Sequence, residues 1–341
     1  MALRKIVLVF ILLISPSWLL AQDYNDGVAA AIAGDYETAL QEWRPLAEQG
    51  NALAQYSLGI MYDSGDGVLQ DYAEAADWYR KAAEQGHAKA QSRLGRMYEW
   101  GEGVLQDDVL AVDWYRKAAQ QENALAQFSL GQMYIWGAGV LQDDVVAVDW
   151  LRKSAEQGNA VAQYSLGKMY KNGSGVLQDD VLAVDWYRQS AEQGFVLGQF
   201  SLGQMYKNGN GVLQDDVLAV DWYRKAAEQG FVKAQANLGY MYQNGLGVSQ
   251  NYAEAVDLFR KAAEQEYAIA QVLLGLTYQN GQGVLQNNVL AHMWFNIGGA
   301  NGNEIGSENR VEIEQRMTRE QIADAQVGAR RCMSSNYQDC D

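Results

Sequence analysis

The chain has 341 residues, with 26 Lys and Arg against 42 Asp and Glu, for a formal net charge of -16. That balance excludes a protein that works by clustering cations on nucleic-acid phosphates. Apolar residues at 48% exclude wholesale disorder, and 34 glycines against 2 prolines point to helices punctuated by glycine.

Arg4 and Lys5 precede an apolar run, Ile6 to Leu20, and Ala21 offers a small residue before Gln22. Residues 1–21 therefore read as a signal peptide, too short for the roughly 20 apolar residues of a spanning helix. Leu19 suits cleavage poorly, which keeps an uncleaved anchor open. Removing Arg4 and Lys5 would take the charge from -16 to -18. No membrane insertion is expected after cleavage. Residues 22–50 read as an N-terminal helical hairpin with Trp43, and with Pro45 expected to kink its second helix.

From residue 51 to 302 a unit of 36 residues recurs seven times without a slip in register. Its first helix shows one apolar face, as in Ala90, Leu94, Met97 and Tyr98. A glycine interrupts that face at Gly59, Gly95, Gly131, Gly167, Gly203, Gly239 and Gly275. It costs about 1 kcal/mol against alanine, and close approach of a large aromatic would offset that. The tryptophans of the second helix, such as Trp78, Trp114 and Trp150, are the natural candidates. Between the helices lies Gly-x-Gly, as in Gly101 and Gly103, which suggests two backbone positions with positive φ. Asp71, Asp107, Asp143, Asp179 and Asp215 stand where an N-cap belongs.

One such hairpin cannot bury its apolar face alone, and a stack can. The expected fold is all-α: an α-solenoid of helix–loop–helix repeats with a helical C-terminal cap over 303–341. Thr318 with Gln321 forms a capping-box signature for the last helix. Cys332 and Cys340 are the only cysteines. They could close a disulfide in an oxidising compartment or remain free thiols.

Ala90-Gln91, Leu94-Gly95, Met97-Tyr98, Gly101, Gly103-Val104, Gln106-Asp107, Ala111, Trp114-Tyr115 and Lys117-Ala118-Ala119 together resemble the Sel1-like repeat, a relative of the tetratricopeptide repeat. The resemblance implies a right-handed superhelix that binds protein partners, with first helices lining its concave face. It also resembles the secreted bacterial members, which implies a periplasmic location. Leucine replaces the proline frequent in the family at Leu69, Leu105, Leu141, Leu177 and Leu285. Cysteine-rich relatives carry a disulfide in each repeat and have been named as β-lactamases; those repeat cysteines are absent here.

Asp77, Asp113, Asp149, Asp185, Asp221 and Asp257 form an acidic ladder that reads either as a stripe for cations or basic partners, or as partners of the Arg three residues on. Double aspartates such as Asp107-Asp108 read as calcium ligands or as caps. The two histidines, His87 and His292, are 205 positions apart and suggest no catalytic pair, so no enzyme, cofactor or metal is expected.

The informative residues vary while the frame stays fixed. On first helices these include Arg96, Trp100, Gln132, Trp136, Lys168, Lys171, Gln204, Lys207 and Tyr240. Exposed Trp and Arg are enriched in binding hot spots. Trp100 and Trp136 either belong to a partner-binding patch or pack over their own glycine loops. The expected function is a non-catalytic scaffold for partner proteins. The alternatives are an envelope enzyme acting on peptidoglycan or a β-lactam, and a cation-dependent structural module.

Overall fold

The computed structural model describes residues 17–340, and side chains from residue 24. The expected signal peptide lies outside the described residues except for 17–21, which open the first helix. Among the described residues there are eighteen α-helices and no strand. The chain divides into two compact units, Met1–Ser154 and Ala155–Asp341.

The first unit starts with the hairpin α1 (Ser17–Ile32) and α2 (Tyr36–Glu48). Helix α2 runs on through Pro45 to Glu48. Then come α3 (Ala52–Ser64) and α4 (Tyr72–Glu84), α5 (Ala88–Trp100) and α6 (Asp108–Gln120), and α7 (Ala124–Trp136) with α8 (Asp144–Glu156). The division between the units falls inside α8. The second unit continues with α9 (Ala160–Asn172) and α10 (Asp180–Glu192), α11 (Val196–Asn208) and α12 (Asp216–Glu228), α13 (Val232–Asn244) and α14 (Tyr252–Ala263), and α15 (Ala268–Asn280) with α16 (Asn288–Ala300). Helices α17 (Glu304–Glu314) and α18 (Arg319–Ser334) close the chain.

Each repeat is thus a helix–loop–helix unit of an all-α solenoid. Gly101 ends α5 in the left-handed region at φ 69°, returning its N–H to the Met97 carbonyl. Gly103, at φ 69°, has a second constraint, because a Cβ there would overlap the Tyr72 carbonyl at the start of the preceding repeat's second helix. Gly139 meets Asp108 in the same way. The loop glycines therefore both turn the chain and let one repeat touch the next. Asp107 caps α6 by accepting from the Leu110 N–H at 3.0 Å, and Asp143, Asp179 and Asp215 do the same for their helices.

The core is a series of layers, each built from one second helix and the first helix after it. Tyr79, Ala75 and Ala82 of α4 pack with Ala90, Leu94 and Met97 of α5. The helical glycines do not face the tryptophans. In all seven repeats the partner is the next residue: Gly95 packs on Tyr115, Gly131 on Leu151, Gly167 on Tyr187 and Gly239 on Phe259. Adjacent residues on a helix differ by about 100° in direction, so the tyrosine faces its own first helix and the tryptophan turns toward the preceding repeat. Trp78 accordingly joins Leu46 of α2 and Leu58 of α3. Among the described residues only the first hairpin pairs a glycine with tryptophan, Gly27 with Trp43.

The cap is held by its own contacts. The Thr318–Gln321 capping box is formed in both directions. Cys332 and Cys340 are joined as a disulfide. Glu314 meets the fully buried His292 of α16 at 2.9 Å.

Candidate functional site

The repeating frame uses up most of the residues that could otherwise suggest chemistry. Arg116, Arg152, Arg188 and Arg224 pair with the aspartate three residues earlier at 2.9–3.4 Å, and Lys261 pairs with Asp257 at 2.7 Å. Arg188 and Arg224 also donate to the tyrosine hydroxyl of the next first helix, Tyr206 and Tyr242. Lys81, Lys117, Lys153 and Lys225 lie over Trp78, Trp114, Trp150 and Trp222 at 3.7–4.3 Å from the ring centroid. The acidic ladder is therefore neutralised along the second helices. Among the described residues, no group of three or more His, Cys, Asp and Glu side chains is placed to hold a metal ion.

A buried polar ladder was not visible as such in the sequence. Gln55, Gln91, Gln163, Gln199, Gln235 and Gln271 each donate to the carbonyl eight residues earlier, as Gln91 does to Ala83 at 3.0 Å. Gln121, in turn, donates to Gln91 Oε1 at 2.8 Å. The recurring Ala-Gln pair was the available signal, but helical periodicity says nothing about which carbonyl a glutamine reaches.

What remains is the variable face of the first helices. In the first unit, Trp100 and Trp136 are 69% and 65% exposed at the ends of α5 and α7. Gln132 is half-buried. Arg96 is committed to carboxylates, donating to Asp63 at 3.1 Å and lying 3.4 Å from Glu102. Tyr79 also donates to Asp63, and burial pushes the Tyr79 hydroxyl far above its ordinary value. Burial likewise raises the Glu99 carboxyl, against the pull of the hydrogen bond it accepts from Tyr115 at 2.6 Å. The basic element expected beside Trp100 is thus an internal ion-pair cluster.

The second unit holds Lys168, Lys171, Gln204, Lys207 and Tyr240. Lys168 is exposed, and Lys171, Gln204 and Lys207 are half-buried. The structure brings two of these together: the Lys207 ammonium lies 5.1 Å from the centroid of the Tyr240 ring. Both line a groove of about 450 Å³ with Ala236, Leu246, Tyr267 and Leu273. The last four were not singled out by the sequence. Leu273 carried a signal, since it stands where the other repeats have Ser57, Arg93, Ser129, Ser165, Ser201 and Asn237.

The Sel1 repeat family model matches 52–87, 88–123, 124–159, 160–195, 196–231, 232–267 and 268–303. The chain belongs to the Sel1 repeat family. A protective antigen of uropathogenic Escherichia coli is 30% identical, with a TM-score of 0.56, covering 93% of either chain. A Sel1 repeat protein from Oxalobacter formigenes is 36% identical over 70% of this chain and 96% of that one, with a TM-score of 0.64. No curated protein sequence matches the chain at a significant level. Sel1-repeat solenoids are typically protein-interaction modules. Among the described residues, no helix is long and apolar enough to cross a membrane.

Proposed function

We propose that this Sel1 protein is a non-catalytic scaffold that binds partner proteins through the variable side chains of its first helices. The observation that carries the reading is the exposure of Trp100 and Trp136, at 69% and 65%, on a frame whose other repeat tryptophans are packed. Large exposed aromatics in adjacent repeats cost solubility and contribute nothing to the core, whereas in an interface they supply hot-spot area. Both histidines have structural partners, which supports a non-catalytic role: His87 caps α5 by accepting from the Ala90 N–H at 3.1 Å, and His292 contacts Glu314. The experiment is a crosslinking pull-down from the native envelope fraction with wild type and with Trp100→Ala/Trp136→Ala. A specific protein lost with the folded variant supports the reading. Equal capture by both baits removes Trp100 and Trp136 from the site, and no capture by either removes the scaffold.

The same proposal places the protein in a bacterial periplasm, on the strength of Arg4, Lys5 and the apolar run ending at Ala21. Intact mass of the exported protein tests this. A chain starting at Gln22 is expected, and a chain retaining Met1 in the cytoplasmic fraction contradicts it.

A further inference from the structure

The groove in the second unit lies where an aromatic before a first helix, Tyr267, has no ring beneath it. In three other repeats the residue just before the first helix is also aromatic, and it packs on a ring 31 positions earlier. His87 lies on Tyr56 at 4.7 Å between centroids, Phe195 on Tyr164 at 5.6 Å, and Phe231 on Phe200 at 5.1 Å. The next member of the series is Tyr267, and the position beneath it is Ala236. Tyr267 and Ala236 both line the groove of about 450 Å³. Tyr267 also makes no side-chain cap for α15, so it surrenders a helix cap without the ring contact that accompanies that loss elsewhere. Tyr240, 40% exposed, and Ile269, 48% exposed, extend the apolar wall.

The charge around this groove opposes that of the whole molecule. Helices α9, α11, α13 and α15 contain Lys168, Lys171, Lys207 and Lys233, and no aspartate or glutamate. The second helices α10 and α12 carry six carboxylates between them. Among the described residues, no carboxylate pairs with Lys168, Lys171 or Lys207. Lys171 and Lys207 occupy the same place on successive first helices that touch one another. In a chain of net charge -16, these four first helices carry positive charge alone.

We propose that this face binds an acidic peptide segment of a partner protein, which inserts an aromatic side chain into the space above Ala236. The inserted ring takes the place of the missing member of the series against Tyr267 and Tyr240, while the lysines attract the flanking carboxylates. Aromatic insertion gives the contact its depth, and the lysines give it orientation and speed. The proposal rests on the reading of the first helices as a partner-binding surface, and it names the chemistry of the partner for the second unit.

The test is fluorescence anisotropy on the full chain at about 50 mM and about 150 mM salt, where the Debye length falls from roughly 14 to 8 Å. The probe is a dye-labelled decapeptide of Glu and Ser with one central Trp. Its versions with Trp→Ala and with every Glu→Lys are the controls, and a sulfated polysaccharide is the rival polyanion. Ala236→Phe restores the missing ring and is expected to weaken binding at least tenfold while the melting temperature holds or rises. Lys171→Glu/Lys207→Glu is expected to weaken binding at least tenfold and flatten its salt dependence. Equal binding by the Ala236→Phe protein, by the Trp→Ala peptide or by the Lys peptide overturns the proposal. So does tight binding of the polysaccharide without the peptide, which would mean a simple polyanion surface. A partner that depends on Trp100 and Trp136 yet ignores these substitutions would sink this inference and leave the scaffold reading standing.

Discussion

The two units share a frame and differ in how their first helices begin. In the first unit α3, α5 and α7 are capped by Asn51, His87 and Asn123, each accepting from a backbone N–H. In the second, α9 keeps such a cap in Asn159, but α11, α13 and α15 start behind Phe195, Phe231 and Tyr267, and none of these three has a side-chain cap. A cap contributes about 0.5–2 kcal/mol, and an aromatic pair about 0.5–1.5 kcal/mol beyond its buried area. The exchange is close to neutral where a ring lies beneath, as under Phe195 and Phe231. It fails to balance at Tyr267, above Ala236, and there the groove opens. The surfaces diverge in parallel: Arg96 is bound to Asp63 and Glu102 in the first unit, while Lys168, Lys171 and Lys207 of the second lie on helices without a carboxylate. The frame is maintained by contacts repeated in every copy, so differences between copies accumulate where the frame makes no demand.

A shared frame implies equal damage in both units. The largest effect is expected from Gly139→Ala and Gly211→Ala, whose new Cβ would overlap the carbonyl of Asp108 or Asp180 at a positive φ of 67°. Each should cost roughly 2–5 kcal/mol in denaturant unfolding, from left-handed strain plus overpacking. A large loss in one unit and none in the other would break the comparison. Gln91→Leu and Gln199→Leu come next. Each removes the side-chain donor to Ala83 or Ala191, whose carbonyl still accepts from Gly86 or Gly194, and the acceptor of Gln121 or Gln229, and should cost about 0.5–1.5 kcal/mol.

A gain is expected at the two places where the frame's glycine is absent. Glu122 in the first unit and Glu266 in the second hold φ of 61° and 62°, where the other repeats have glycines such as Gly86 and Gly158. Glu122→Gly and Glu266→Gly should each stabilise by about 0.5–1 kcal/mol, because the left-handed penalty exceeds the entropy cost of glycine. The smallest effect sharpens the contrast. Burial, helped by the charge of Lys89, holds the His87 imidazole below its ordinary value of 6.5. The unfolded chain therefore takes up the proton first, so this contribution is complete above pH 6.5 and is lost as pH falls below it. His87→Asn keeps a capping side chain and should remove that part of the acid sensitivity, seen as a flatter melting-temperature profile between pH 5 and 7. Its counterparts Phe195 and Phe231 have nothing to titrate.

Period and caps were legible because each signal is local and occurs in almost every copy: Asp107 precedes its helix, Gly101 ends one, and neither needs a distant partner to be read. The partner of Gly95 was misplaced by one residue, from Trp114 to Tyr115, since the two are neighbours and only packing decides which turns inward. The pairing of Arg96 with Asp63 joins residues 33 apart, and so depends on how one repeat sits on the next. The groove was the least legible feature. Its cause is Ala236, a small residue that looks ordinary in a helix, and what matters is the ring that the two preceding repeats place there as Tyr164 and Phe200.

The central claim is that the variable residues of the first helices serve partners and leave the frame untouched. The most direct measurement is the crosslinked protein set captured by wild type and by one five-site variant, Trp100→Ala/Trp136→Ala/Lys168→Glu/Lys171→Glu/Lys207→Glu, with helicity and melting temperature recorded for both baits. Loss of the specific partners at unchanged helicity and melting temperature is the predicted result. Retention of the same partners by the folded variant would contradict the claim, and so would a variant that fails to fold, since these side chains would then belong to the frame.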